Sequence, residues 1–366
     1  MRLVFVHGWS VTTTETYGQL PEALVAACAN SDLQLDIQHI QLGKYVSFND
    51  EVNLDDIARG LNQALLDLPD NHDQIQPFSC ITHSTGGPVV RHWIDEFYGA
   101  ANLDKLSLKH LIMLAPANHG SALAVLGKKR VSRISSWLKG VETGQRVLDW
   151  LSLGSLGQRK LNRNGLDYQY ASNNVYPFVL TGQGIDRELY DFINSYLVEP
   201  GSDGVVRVAG ANMNYRFFAL EQTNELVRQD PATTRLVYDD DHSVRIAPSV
   251  PLGVITAAKG ESQPVVADIV KCLQVDNKAD YLQRGHELTE LTENEQQRAR
   301  AMRGTERYAM LIFHIHDDQG NHFSSDDYDI LLLGGKDYQP FALPKGFFMD
   351  RQMNSSTSNL VYYINV

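Results

Sequence analysis

The chain has little cysteine, no long apolar run and no surplus of positive charge. Its 366 residues hold three cysteines, Cys28, Cys80 and Cys272. They are too few and too scattered for a disulfide framework, and fit a reducing compartment or simple buried thiols. No apolar stretch approaches the roughly 18 residues that span a bilayer. Lys and Arg number 32 against 44 Asp and Glu, a formal charge of −12, so the basic footprint of a nucleic-acid binder is missing. Arg2 runs at once into Leu3-Val4-Phe5-Val6, too short for the apolar core of a secretory leader. The expectation is a cytoplasmic protein, or one exported without a cleaved leader.

What is present is a rhythm of short apolar runs and amphipathic stretches over residues 1–275. Arg2–Val6, Leu33–Ile40, Phe78–Thr82, Leu108–Ala115, Val175–Thr181 and Val205–Val208 read as strands. Glu15–Ala29, Leu54–Leu68, Gly87–Tyr98 and Pro264–Leu273 read as helices, the second with Ile57, Leu61, Leu65 and Leu68 at helical spacing and Asn53 or Asp50 as its cap. Strands alternating with helices predict an α/β fold, a mostly parallel sheet covered on both faces. Two stretches break the rhythm. Residues 120–170 show no clear strand. Residues 276–305 are polar and helix-prone, a linker or a surface helix. Residues 306–366 then read as a small β-rich module with strands at Arg307–His316, His322–Leu333 and Asn359–Asn365.

The sharpest local signal is Cys80-Ile81-Thr82-His83-Ser84-Thr85-Gly86-Gly87-Pro88. An apolar strand stops, a helix starts, and Ser84 sits on the turn between them. A tight turn of this kind needs small neighbours and lifts the hydroxyl toward the positive end of the following helix. Gly86 meets that need downstream; upstream stands Thr82, where the G-x-S-x-G pattern has glycine. A serine cap on an ordinary crossover would explain the same residues. A second segment, Val6-His7-Gly8-Trp9, ends a strand on a glycine that lets backbone approach a bound acyl group.

With these segments the chain resembles the α/β-hydrolases, and within them the lipase-like acyl hydrolases. Ala115-Pro116-Ala117-Asn118-His119-Gly120-Ser121 is similar to the Pro-x-x-Gly-Ser turn of lipases, and Ser202-Asp203-Gly204-Val205-Val206 to their Asn-Asp-Gly-Leu-Val segment. The resemblance covers residues 1–275 and leaves the C-terminal module unexplained. It implies Ser84 as nucleophile, Asp203 as the acid with Asp186 as runner-up, and a histidine after the acid as base. His242, after the apolar Leu236-Val237-Tyr238 and inside an acidic run, fits best; His286 is the second choice. The amides of Trp9 and Thr85 would form the oxyanion hole. His7 and His83 read as structural. No metal and no organic cofactor is required, although His314-Ile315-His316-Asp317-Asp318 resembles a metallo-hydrolase cluster with Gln319 in place of its last histidine. A strand ending in an Asp-Asp-Gln-Gly hairpin turn explains the same residues and is preferred.

The insertion at 120–170 falls where lipase-like enzymes carry a lid. Val131, Ile134, Leu138 and Val141 form an apolar stripe beside Trp137, while Lys128, Lys129, Arg130, Arg133 and Lys139 lie mostly off it. Residues 117–170 hold nine Lys and Arg against three Asp and Glu, a net of +6. Such a helix can rest on an anionic lipid surface; a plain helical cap is the other reading. The functional expectation is therefore a serine hydrolase of hydrophobic or lipid esters, phospholipids favoured, with transient membrane contact through the insertion. A soluble esterase or thioesterase, or a non-catalytic protein on the same fold, are its rivals. Oligomeric state is not legible.

Overall fold

The computed structural model describes residues 1–7, 17–29, 32–46, 51–122, 124, 144–184, 199–219, 228–230, 233–234, 244–255, 263–303, 306–323, 327–328, 330, 332–334 and 342–366. Six parallel strands form the main sheet. β1 (Arg2–His7), β2 (Asp36–Gln41), β3 (Phe78–His83), β4 (Leu108–Leu114), β5 (Tyr176–Thr181) and β10 (Leu252–Val254) stand in the order β10-β5-β4-β3-β1-β2. Side chains alternate across a pleated strand, and both faces here are covered. Val4, Val6, Cys80 and Met113 pack with Ile57 and Leu61 of α2 (Leu54–Leu66) and Trp93 of α3 (Gly86–Phe97). Leu3, Phe5, Ile81 and Phe178 point the other way, toward Leu24 of α1 (Leu20–Cys28) and Ile269 of α7 (Gln263–Leu273). Burial on both faces is why the central strands read as unbroken apolar runs.

Asn53 caps α2: its side chain accepts from the Asp56 amide at 2.9 Å, and the Asp56 carboxylate accepts from the Asn53 amide at 3.0 Å. Asn53→Ala is expected to lower stability by about 1 kcal/mol, read as a lower denaturant midpoint with an unchanged slope.

After β4, the described part of the insertion is helical, α4 (Gln145–Leu151) and α5 (Leu156–Asn164). Val147, Leu148 and Leu151 are buried, and Ser121 N donates to Leu151 O at 2.9 Å. The basic stripe, with Trp137, lies outside the described residues. Val205–Val208 is not a strand. The Asp203 carboxylate takes the amides of Val205 and Val206, so they are not free for a ladder, and α6 (Val208–Ala211) follows. Beyond it β6 (Arg216–Phe218) pairs with β9 (Val244–Ile246), and β7 (Arg228–Asp230) with β8 (Thr233–Thr234).

The polar stretch after residue 276 is α8 (Lys278–Arg303), packed along β10. Val254 N donates to Thr292 Oγ1 at 3.0 Å, and Tyr281 and Leu288 are buried in the second core cluster. The C-terminal strands β11 (Tyr308–Phe313), β12 (Phe348–Met353) and β13 (Leu360–Asn365) form an antiparallel sheet with β13 central. The expected strand at His322–Leu333 lies partly outside the described residues; of those described, none belongs to this sheet, and His322 makes one isolated bridge to His316.

Candidate active site

In an open parallel sheet, reactive groups gather beyond the carboxyl ends of the strands. β3 ends at His83 and α3 begins at Gly86, so Ser84 and Thr85 make the whole turn. Ser84 has φ of +53°, a left-handed conformation that a serine keeps only under constraint. The constraint is visible: Ser84 N donates to Leu114 O at 3.0 Å, and Ala117 N donates to Ser84 O at 3.3 Å. Its Oγ is buried, and no described residue bonds it. A Cβ on Gly86 would lie 3.2 Å from the Thr82 Cβ and 3.4 Å from Val6 O. The turn accommodates Thr82 because Gly86 has no side chain.

Val6 stands in register with Thr82, so β1 and β3 leave the sheet side by side. Thr85, the N-cap of α3, stands at the positive end of that helix. Trp9, beyond β1, lies outside the described residues. His7 Nε2 is 3.0 Å from His39 Nδ1, and burial lowers the His7 pKa to about 4. It stays neutral between β1 and β2.

Asp203 sits at the ends of β5 and β10. A Cβ on Gly182, which follows β5, would be 3.7 Å from both the Asp203 Cβ and the Ile255 O that follows β10. Asp203 Oδ1 accepts from Val205 N at 2.9 Å and Val206 N at 2.7 Å. Burial raises its pKa, and these amide bonds pull the other way. Asp203 thus shares the sheet edge with Ser84, two strands along. His242 and Asp186 lie outside the described residues. His286 is exposed on α8. His314 has both ring nitrogens engaged, with Arg159 and Asn359 Oδ1, which removes it as a chelating ligand. Among the described residues Asp55, His92 and Glu96 lie close enough to hold a metal ion, but His92 Nε2 is already hydrogen-bonded to Asp55 Oδ1 at 2.7 Å. They sit on α2 and α3, away from the turn.

Sequence reasoning missed Arg91. It is buried in α3 and donates to Asn118 Oδ1 at 3.1 Å and Asn162 Oδ1 at 2.9 Å. Asn118 Nδ2 donates to Ala211 O at 2.8 Å. The helix after Ser84 is thereby tied to the loop after β4, to α5 and to α6. The signal available was an arginine among apolar residues on one helix face. Beside it His119 Nε2 meets Asn212 O at 2.9 Å.

Burial lowers the pKa values of His119 and His110 to about 4 from an ordinary 6.5. Between those values the unfolded chain binds protons that the folded chain does not. Stability is therefore full above pH 6.5 and falls as pH drops toward 4, by up to about 1.4 kcal/mol per pH unit for each histidine. Melting temperatures measured from pH 7.5 to 4.5 should hold to about pH 6.5 and fall below it; a flat profile would contradict the assignment of neutral buried imidazoles.

The C-terminal sheet holds the loop that carries Asp203. Tyr363 Oη donates to Pro200 O at 2.9 Å. A Cβ on Gly201 would meet Tyr308 at 2.5 Å and Tyr363 at 2.6 Å. Arg207, 4% exposed, pairs with Glu199 and with Asp350 of β12, and lies 4.2 Å over the Tyr363 ring.

No protein-family model matches the chain, and no curated protein does. Solved structures do. Phospholipase PlaB from Legionella pneumophila is 42% identical over all of this chain and 81% of its own, with a TM-score of 0.86. The structure of PlaB in complex with thio-NAD matches at 40% identity over all of this chain and 80% of its own, with a TM-score of 0.84. With that identity over its full length and the sheet described above, the chain belongs to the lipase-like α/β-hydrolases and is a carboxylic ester hydrolase.

Proposed function

We propose that the chain hydrolyses acyl esters of lipids, phospholipids favoured, through Ser84, His242 and Asp203. The observation that carries this reading is the strained turn at Ser84, which holds at the carboxyl edge of the sheet an Oγ with no partner among the described residues. His242 takes the Oγ proton as Oγ bonds to the ester carbonyl carbon. The amides of Thr85 and Trp9 receive the oxyanion. Collapse expels the alcohol, which leaves with that proton, and an acyl-enzyme remains. Water, deprotonated by His242, then releases the acid and restores Ser84. Asp203 Oδ1 is taken by backbone, which leaves Oδ2 to accept an imidazole N–H. Of the histidines after Asp203, His286 lies on α8 and His314, His316 and His322 belong to the C-terminal module, which favours His242.

Phospholipid is favoured by the likeness to PlaB, named a phospholipase, and by the +6 insertion, which suits an anionic surface. A fluorophosphonate probe tests the chemistry. The native chain should label and Ser84→Ala should not; equal labelling would remove the serine mechanism. Cleavage of short p-nitrophenyl esters without binding or hydrolysis of phosphatidylglycerol vesicles would leave a soluble esterase instead.

A further inference from the structure

Two non-glycine residues at the carboxyl edge of the sheet hold left-handed backbone, Ser84 with φ of +53° and Ala115 with φ of +44°. They follow the neighbouring strands β3 and β4, and such strain lasts only where the surroundings enforce it. The segment 115–121 supplies the enforcement. At one end Ala117 N donates to Ser84 O at 3.3 Å. At the other, Ser121 Oγ donates to Val205 O at 2.7 Å, two residues beyond Asp203. Between them His119 N donates to Gly210 O of α6 at 2.8 Å. The segment is a bridge from the turn of Ser84 to the loop of Asp203.

Arg91 fixes the middle of that bridge. It is 1% exposed and Asn118 is 0% exposed. Arg91 Nη1 donates to Asn118 Oδ1 at 3.1 Å, and Nη2 to Asn162 Oδ1 at 2.9 Å. Asn162 Nδ2 donates in turn to Asn118 O at 2.9 Å. The planar guanidinium holds the two asparagines in one fixed geometry. One turn earlier on α5, Gln158 Nε2 donates to Ala117 O at 3.2 Å.

Arg91 does this without a counterion. Eight other described arginines each have a carboxylate within ion-pair distance. Among the described residues Arg91 has none, and its Nε has no hydrogen-bond partner. A buried cation held only by neutral acceptors is costly, and an apolar side chain would serve packing alone. A choice that breaks a local rule in this way marks a functional site.

We infer that Arg91 is a positioning residue for ester hydrolysis. It locks the segment 115–121 and, through it, the separation of Ser84 from Asp203. The inference rests on the reading of Ser84 and Asp203 given above. Arg91 acts through Asn118 and Asn162 and not on the substrate. A misplacement of about 1 Å between reacting groups costs about 10²-fold in rate, so a small slip of the segment is enough to be seen.

The experiment is steady-state hydrolysis of p-nitrophenyl butyrate beside fluorophosphonate labelling, at a temperature where circular dichroism shows each variant folded. Arg91→Lys keeps the charge and loses the planar fork. Its kcat should fall at least about tenfold, with KM within about twofold of the native value. Asn53→Ala, weakened at the cap of α2, should keep the native kcat, which separates positioning from a general loss of stability. Ser121→Ala releases the bridge at its Asp203 end and should also lower kcat. Joined with Arg91→Lys it should cost less than the product of the two single effects, because a bridge already released has little left to lose. If Arg91→Lys does not fold, Asn162→Ala removes an acceptor of Arg91 and a donor to Asn118. It then takes that place with the same expected split. The inference is overturned if the folded Arg91→Lys keeps kcat within about twofold, or if its effect and that of Ser121→Ala multiply in full. Labelling distinguishes this failure from failure of the serine mechanism. A native chain labelled at Ser84 retains that mechanism whatever Arg91 does; a native chain that is not labelled removes both.

Discussion

Asp203→Asn is expected to lower kcat by about 10⁴-fold while leaving the fold intact. The amide side chain keeps an oxygen that can accept from Val205 N and Val206 N, as Oδ1 does now, so the turn survives. Its other atom becomes a donor. It can no longer take an imidazole N–H, and the base is left in the wrong tautomer for deprotonating Ser84. Asp203→Ala should differ in kind, losing both turn bonds, at about 1 kcal/mol each, as well as activity. Kinetics with a p-nitrophenyl ester beside denaturant melts separate the two effects. If Asp203→Asn keeps kcat within about tenfold of the native value, Asp203 is not the acid; Asp186→Asn then becomes the variant to make.

Arg207→Met should produce the largest loss of stability, about 3 kcal/mol. The guanidinium is 4% exposed and holds two carboxylates, Glu199 and Asp350, which are 23% and 28% exposed. Removing it strands both acids with limited access to water and takes away the contact with the Tyr363 ring. Because Arg207 links β12 to the loop that carries Asp203, kcat should fall with stability, although Arg207 touches no reacting group. Denaturant melts and kinetics on the same preparation measure both. A loss below about 1 kcal/mol would mean that the Glu199–Arg207–Asp350 cluster behaves like a surface ion pair and that the module is loosely held.

These outcomes depend on features that the amino-acid pattern revealed unevenly. Central strands such as Phe78–His83 were legible because both faces are buried, which leaves a continuous apolar run. The turn at Ser84 was legible because its geometry restricts residue types on either side. The role of α8 was not. It meets the core through Tyr281 and Leu288, with Arg284 between them paired to Asp268 and Glu287, so its inner stripe is interrupted by a charge and reads as polar throughout. Val205 and Val206 misled in the opposite direction: two β-branched residues suggest a strand, while the preceding aspartate captures their amides. β10 has three residues, too few for any periodicity to show. Arg91, Asn118 and Asn162 come from three distant segments, and nothing local to any of them announces the others.

The pairing of Thr82 with Gly86 changes how such turns are recognised in other chains. The separation of 3.2 Å between the Thr82 Cβ and the place a Gly86 Cβ would occupy means that the two positions draw on one shared volume. The steric rule constrains their sum and not each residue alone. A pattern that demands glycine on both sides of the serine overlooks every protein that divides the space unequally. A complementary exchange, Thr82→Gly with Gly86→Ala, respects the same total, places the new Cβ 3.4 Å from Val6 O and gives up the buried Thr82 side chain inside β3.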